Sequence, residues 1–390
     1  MQGFRKIVLG VSALLISLSA RADYAWNFPE PVTPMALDTL HVHNKFMLIS
    51  MAIFFVVLAI MIYSIFAHRK SKNFKPVADK APSTATEIFW TLIPFVILLL
   101  IDFVIMGIPA YHSVVMMEDT RNEAKMVIKI TGSQWRWQYE YLDGDAKGIK
   151  FVSNLSTPKV QTDKGYEGVK DEQYLLEVDN RLVLPVGEKV RILMTATDVL
   201  HNWWVPQFGS SRVAVPGFIR ETWVQVDKAG TYRGQCKELC GKGHGYMPIV
   251  VDAVPMEEYK AWAVAKNAEM AKAAAGSDKE WTKDELVAEG KVVYEKNCAV
   301  CHQASGAGLP PAFPALTGSK ITTSPIFGAD GKYLKDGHLD RVLNGVRVMP
   351  AWKALLNDTE IAAVITYERN GLGNSVGDVL QPSQVKAARQ

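Results

Sequence analysis

Phe46–Ala67 runs for 22 residues without a charged side chain. A stretch of that length spans a bilayer as a helix, because lipid offers its backbone groups no partners beyond the helix itself. The segment His68–Thr86 follows, with Arg69, Lys70, Lys72, Lys75 and Lys80 against Asp79 alone. Short basic loops stay in the cytoplasm. A second apolar run, Ile88–Tyr111, then returns the chain to the outside. The pattern predicts a helical hairpin, with spans at about 46–67 and 88–111 and everything after about His112 periplasmic. Ahead of it, Arg5 and Lys6 precede the mostly apolar Ile7–Ala20, and Ala20-Arg21-Ala22 fits a small-x-small cleavage site. Residues 1–22 therefore read as a signal peptide, with an uncleaved anchor as the alternative.

From Met126 to Pro255 the pattern changes to short β-rich runs: MVIKITG, WRWQYEYL, YLLEVD, KVRILMT, ETWVQVD, TYRGQC and PIVVDAV. Runs of that kind, separated by turn residues, predict an antiparallel sandwich or barrel. WRWQYEY alternates, which puts Trp135, Trp137, Tyr139 and Tyr141 on one face. Within this region Gln235–Met247 gathers Cys236, Cys240, His244 and Met247 into twelve residues. His201 stands upstream in LHNWWVP, beside a run that looks like a strand. Two thiolates, imidazoles and a thioether suit copper better than an oxygen-seeking ion. A Cys2His2 zinc site and a Cys236–Cys240 disulfide are the alternatives left open by the residues alone.

Met256–Trp281 is rich in Ala, Lys and Glu and favours helix; Gly276 and Ser277 interrupt it. Thr282 and Glu285 form a capping box that opens a helix through about Asn297. That helix leads to Cys298-Ala-Val-Cys301-His302, the signature for thioether attachment of c-type haem with histidine on the iron. The four cysteines of the chain thus fall into two close pairs, each with a cofactor chemistry. After His302 the only methionine is Met349, in GVRVMPAW, and the only other histidine is His338, in DGHLD. Met349 is the preferred sixth ligand, and His338 reads as an exposed helix start. Met/His ligation raises a haem potential, as an electron carrier needs. The run LPPAFPALTGS would wrap the haem. Asn357-Asp358-Thr359 starts an amphipathic helix, Glu360–Arg369, and the tail beyond Gly371 is expected to be mobile. The net charge of +3 makes no case for nucleic acid.

CKELCGKGHGYMP, with VLHNWWVP and GSQWRWQYEY before it, resembles subunit II of the haem-copper cytochrome c oxidases, over about Pro31–Pro255. The C-terminal motifs resemble a class I cytochrome c. The resemblance implies a multidomain membrane protein. It would comprise an N-terminal segment with a transmembrane helical hairpin (23–112), an all-β cupredoxin-like domain (113–255), a helical linker (256–281) and an all-α cytochrome c domain (282–390). In the CuA centre of that family two cysteine sulfurs bridge two coppers. The resemblance implies that Cys236 and Cys240 are those bridges. His201 and Met247 would complete one copper, His244 and the Glu238 carbonyl the other. Haem c would be held by Cys298, Cys301, His302 and Met349. Trp135 matches the exposed tryptophan where electrons enter.

Glu87, otherwise a helix-terminus carboxylate, matches the mouth of a proton-uptake channel. The Glu238 side chain would reach a magnesium shared with subunit I. Two positions depart from the family: Val213 stands in place of an acid and Phe218 in place of an arginine, beside that magnesium. Asp102 lies within the second span and is expected to face protein. Implied partners are subunits I and III and a cytochrome c or other small periplasmic donor, in a bacterial inner membrane. Nothing in the chain offers a clustered multi-histidine oxygen-reduction site. The expected function is electron transfer from haem c to CuA and on to the haem of subunit I, where oxygen becomes water with proton pumping.

Overall fold

The structure, a computed structural model, describes residues 27–72, 82–105, 107–162, 167–311, 313–347 and 349–389. The signal-peptide segment 1–22 and residues 73–81 of the basic loop, Lys75 and Lys80 included, lie outside the described residues.

Helix α1, Pro34–Ala67, starts earlier than its apolar run. Thr33 caps it by accepting from the Ala36 N–H at 3.0 Å, and Pro34 occupies the first turn, where no N–H is needed. At ~1.5 Å per residue it is roughly 50 Å long, against an apolar bilayer core of about 30 Å. The excess reaches the β-domain, where Thr33 donates to the Phe208 carbonyl at 2.8 Å. Helix α2, Thr84–Leu99, is capped by Ser83 and runs through a π-helical segment, Leu100–Ile105, toward α3, Gly107–Glu118. The apolar side chains of α1, α2 and the π-helical segment face outward, Leu48, Phe66, Phe89 and Phe103 among them. Outward-facing apolar length of this kind suits lipid.

The central domain is a sandwich of two five-stranded sheets. Its strands are β1 Met126–Ser133, β2 Arg136–Tyr141, β3 Lys150–Ser153, β4 Leu182–Pro185, β5 Val190–Ala196, β6 His201–Trp204, β7 Ser211–Ala214, β8 Arg220–Val224, β9 Gly230–Cys236 and β10 Pro248–Val254. One sheet has the order β3-β2-β1-β5-β8, the other β4-β10-β9-β6-β7. The pairs β1/β5 and β4/β10 are parallel, so the sandwich is not purely antiparallel as expected. Each such pair is joined through other strands rather than by a tight turn, so nothing forces it to reverse direction. YLLEVD forms no strand: Leu175 sits at φ +61°, outside the extended region. Trp137, Tyr139 and Tyr141 fill the core from β2, and Tyr141 donates to the Val183 carbonyl at 2.8 Å.

Helix α4, Met256–Ala275, does not hang free as a spacer. It buries Tyr259 and Ala263 on the sandwich, and the Trp262 ring lies 5.3 Å from that of Tyr141.

The C-terminal region is helical: α5 Lys283–Asn297, α6 Ala299–His302, α7 His338–Asn344, α8 Asp358–Asn370 and α9 Pro382–Ala388. The Thr282–Glu285 capping box forms as expected. Helices α5 and α8 touch backbone to backbone at Gly290, where a Cβ would come within 2.0 Å of the Ala363 carbonyl oxygen. Ile361–Arg369 is buried on every side rather than on one. The tail supplies the missing cover, contrary to the expectation that it is mobile. Leu380 and Val385 are buried, Gln381 exchanges hydrogen bonds with the Trp281 backbone, and Lys386 pairs with Asp278 at 2.9 Å.

Candidate metal and haem sites

The copper candidates converge from three places. His201 opens β6, Cys236 closes β9, and the loop to β10 carries Cys240, His244 and Met247. Ligand atoms of His201, Cys236 and Cys240 lie within 4.8 Å of one another, and all three residues are buried. The two sulfurs stand 3.9 Å apart. A disulfide would need about 2.05 Å, whereas one ion at ~2.3 Å from each sulfur fits between them. Cys240 Sγ is 3.5 Å from His244 Nδ1 and 3.5 Å from Met247 Sδ. The Glu238 carbonyl oxygen is 3.3 Å from Cys236 Sγ.

One supporting residue was not legible in the sequence. Asp198, three positions before His201, accepts from His201 Nε2 at 2.9 Å. It also accepts from the Gln134 N–H at 2.7 Å. Burial works against the Asp198 carboxylate, but the hydrogen bonds from His201, Gln134 and Val199 outweigh it and lower its pKa. An ionised carboxylate only accepts, so the Nε2 proton is fixed and the Nδ1 lone pair is free. That Nδ1 is buried and has no hydrogen-bond partner. An orphaned imidazole nitrogen beside two thiols fits a metal site. Burial also pushes the Cys240 thiol up to about 12, with the neighbouring Cys236 adding to it. Cys236 is pushed up by burial too, but the adjacent His201 imidazole and hydrogen bonds with backbone groups bring its pKa below the ordinary thiol value. Cys236 is thus the more acidic of the two thiols, and a cation binding here must displace the proton of Cys240.

Trp135 lies under this loop. Its Nε1 donates to the Cys240 carbonyl at 3.0 Å, and Gln134 Nε2 donates to the same oxygen at 2.8 Å. Gly243 allows the approach, since a Cβ there would meet the indole Cδ2 at 2.3 Å. The expectation that Trp135 is exposed does not hold: it is 8% exposed, with the loop packed over it.

In the helical domain, α5 ends at Cys298 and the single turn of α6 presents Cys301 and His302. Both cysteines are free thiols. His302 Nδ1 lies 2.9 Å from the Pro314 carbonyl oxygen. A carbonyl accepts, so the proton sits on Nδ1 and Nε2 is left for a metal. Met349 is half-buried against the same apolar cluster as Cys298 and Leu316. His338 departs from expectation: it begins α7 but is buried, with Nε2 on Glu368 Oε2 at 2.7 Å. The acid that recruits it is 30 residues away, beyond the reach of a local reading. These residues fit covalent haem, with the histidine's second nitrogen already held.

The remaining candidates are scattered. Glu87 is exposed in the first turn of α2, and Asp102 is exposed within the π-helical segment. Val213 pairs with Asn202 in β7/β6, and Phe218 is 66% exposed. The Glu238 side chain is half-buried.

Comparison with known proteins agrees with this layout. Residues 21–108 match the model of the cytochrome c oxidase subunit II transmembrane domain, and 126–254 that of its periplasmic domain. Residues 285–367 match the model of cytochrome c oxidase, cbb3-type, subunit III. A probable cytochrome c oxidase subunit 2 of Rickettsia bellii is 37% identical over 272 residues, 68% of this chain and 94% of the relative. A cytochrome c oxidase subunit 2 of Chondrus crispus is 33% identical, over 65% of this chain and 96% of its own. A solved periplasmic domain of subunit II of cytochrome oxidase of Bradyrhizobium japonicum is 37% identical, covering 37% of this chain and 96% of its own, with a TM-score of 0.32. By the matched family models the sandwich is cupredoxin-like, and the helical region after it is a cytochrome c domain. A CuA copper site and haem c are properties of the matched domains.

Proposed function

Because this chain belongs to the cytochrome c oxidase subunit II family, we propose that it takes electrons at a covalent haem c, passes them to a binuclear CuA centre, and delivers them to the haem of subunit I. It is a membrane protein with a periplasmic domain and a part of a haem-copper oxidase. In our reading the membrane is a bacterial inner membrane, both cofactor domains are periplasmic, and the domains divide near 112, 255 and 281. Oxygen reduction and proton pumping belong to the larger complex with subunits I and III. The donor is a cytochrome c or another small periplasmic carrier.

The observation that carries this proposal is the pairing, in one chain, of the His201–Cys236–Cys240 cluster with Cys298, Cys301 and His302. When bound, the bridged coppers and the haem supply one-electron redox chemistry without proton exchange. The protein's part is to hold and shield them. Cys236 and Cys240 would bridge the metals; His201, His244, Met247 and the Glu238 carbonyl would complete them. Asp198 fixes the His201 tautomer, and the Pro314 carbonyl fixes that of His302. Burial of His201, Cys240 and Met247 keeps bulk water from the site. His302 and Met349 would ligate the iron. The Trp135 indole, which donates to the Cys240 carbonyl, would admit electrons to the copper loop. Glu87 would mark a proton-channel mouth. Glu238 would give one carboxylate to a magnesium shared with subunit I.

The test is a redox and paramagnetic resonance spectrum of the purified complex. The proposal expects haem c bands together with a copper signal in which one electron is shared by two equivalent ions. A one-ion copper hyperfine pattern, or no covalent haem, would overturn it.

A further inference from the structure

Arg136 alternates with Trp135 and Trp137, so β2 aims it away from the sandwich core. On an isolated sandwich that face would be wet. Here Arg136 is only 4% exposed, because the C-terminal domain covers it. Its Nη1 donates to Asn297 Oδ1 at 2.8 Å and its Nη2 to the Asn297 carbonyl at 3.2 Å. The guanidinium carbon lies 4.6 Å from the ring centre of Trp352. Asn297 is aimed for this: its own Nδ2 donates to the Val293 carbonyl at 3.0 Å, which turns Oδ1 outward. A second contact crosses the same face, with Lys242 Nζ 5.0 Å from the ring centre of Phe313. It joins the copper-site loop to the loop after the haem-attachment motif.

No carboxylate among the described residues forms an ion pair with Arg136, and its Nε is buried without a partner. Withdrawing a guanidinium from water against neutral groups is costly. Two forked hydrogen bonds and an aromatic face are what offset that cost, and only arginine has the geometry for them. The position in the chain gives the contact its meaning. Trp135, bonded to the Cys240 carbonyl, is one residue before Arg136; Asn297 is one residue before Cys298.

We infer that Arg136 is a positioning residue that locks the haem-attachment edge of the cytochrome domain onto the face of the copper site. The inference rests on the proposed roles of the two sites, but the lock itself is a contact between two domains of one chain. It means that the domains dock in one defined orientation, rather than meeting through the concentration effect of a tether.

The experiment uses the full-length oxidase with cofactors loaded and compares R136A, R136K, N297A and R136A/N297A. One readout is hydrogen exchange over 134–141 and 293–302; the other is the rate of one-electron transfer from haem to copper after photoreduction. Loss of hydrogen bonds to a charged donor should lower the docked-to-undocked ratio by roughly 10- to 100-fold. Exchange should therefore rise and the rate should fall in R136A and N297A. The double variant should be no worse than the more severe single one, because both remove the same contact. R136K, which keeps the charge but not the fork, should fall between. Unchanged exchange and rate in R136A with both cofactors present would overturn the lock. If R136A fails to assemble, N297A decides from the other side of the contact. Exchange that rises in the variants while the wild type shows no haem-to-copper transfer would uphold the lock and overturn the proposed function.

Discussion

His201 Nε2 lies 2.9 Å from Asp198 Oδ1, which leaves His201 Nδ1 turned to two buried thiols with no other partner. The carboxylate thus prepares the imidazole before any metal is present. Asp198→Ala should weaken copper binding by about 10- to 100-fold while the sandwich stays folded. Copper titration of the full chain, followed by the absorption of the bound metal, measures it. Equal affinity would mean that Asp198 serves only the Gln134 and Val199 backbones.

Cys236→Ser and Cys240→Ser should each abolish the shared-electron copper signal, because each sulfur is proposed to touch both ions. Metal analysis and paramagnetic resonance should show at most one copper with one-ion hyperfine structure. A delocalised signal surviving in either variant would rule out bridging by that sulfur.

Met349→Ala should leave the haem covalently attached, lower its potential and open it to added ligands. His338→Ala should do none of these. It should instead destabilise the helical domain by about 1–3 kcal/mol, since Glu368 would be buried without its partner. Spectra with added imidazole and thermal unfolding of the full chain separate the two. A ligation change in the His338 variant would reverse the assignment.

Glu221 fastens the end of the membrane hairpin to the sandwich. It accepts from Arg191 at 2.7 Å and from Thr120 at 2.8 Å, with Arg121 at 3.4 Å. The Arg191 hydrogen bonds lead in pulling its pKa from 4.5 to about 2. A depressed folded pKa stabilises above the unfolded value, and that stability is lost as pH falls through the folded one. The contribution should be complete above about 4.5 and disappear toward about 2. Glu221→Gln should lower stability at neutral pH and flatten the acid limb between those values. Superimposable acid-unfolding curves for variant and wild type would contradict this.

Much of the candidate metal site could be read from the sequence because its loop donors crowd into a dozen residues and their chemistry is unusual. His201, Cys236 and Cys240 do come together, with His244 and Met247 beside Cys240. What escaped was made by long-range contacts. Asp198 looks like any turn acid until β6 is placed against the loop. Arg136 looks like the solvent half of an alternating strand, because its cover, Asn297 and Trp352, comes from a domain 160 residues or more downstream. Strands β4, β6 and β7 have four residues each, too few for a period of two to register. YLLEVD has strand composition, but one residue in the left-handed region ends the run. The buried all-round face of α8 was hidden because the tail that covers it, from Gly371 on, is mostly polar, with three glycines and a proline in it.

In the proposed function, electrons pass from the haem of this chain to its own copper pair. The most direct measurement is photoreduction of haem c in the full-length oxidase, following the haem band and the mixed-valence copper signal together. The haem band should bleach on the same time course as the copper signal is lost. A haem that stays reduced beside oxidised copper, or a copper pair that fills at the same rate after residues beyond Trp281 are removed, at low donor concentration, would contradict it.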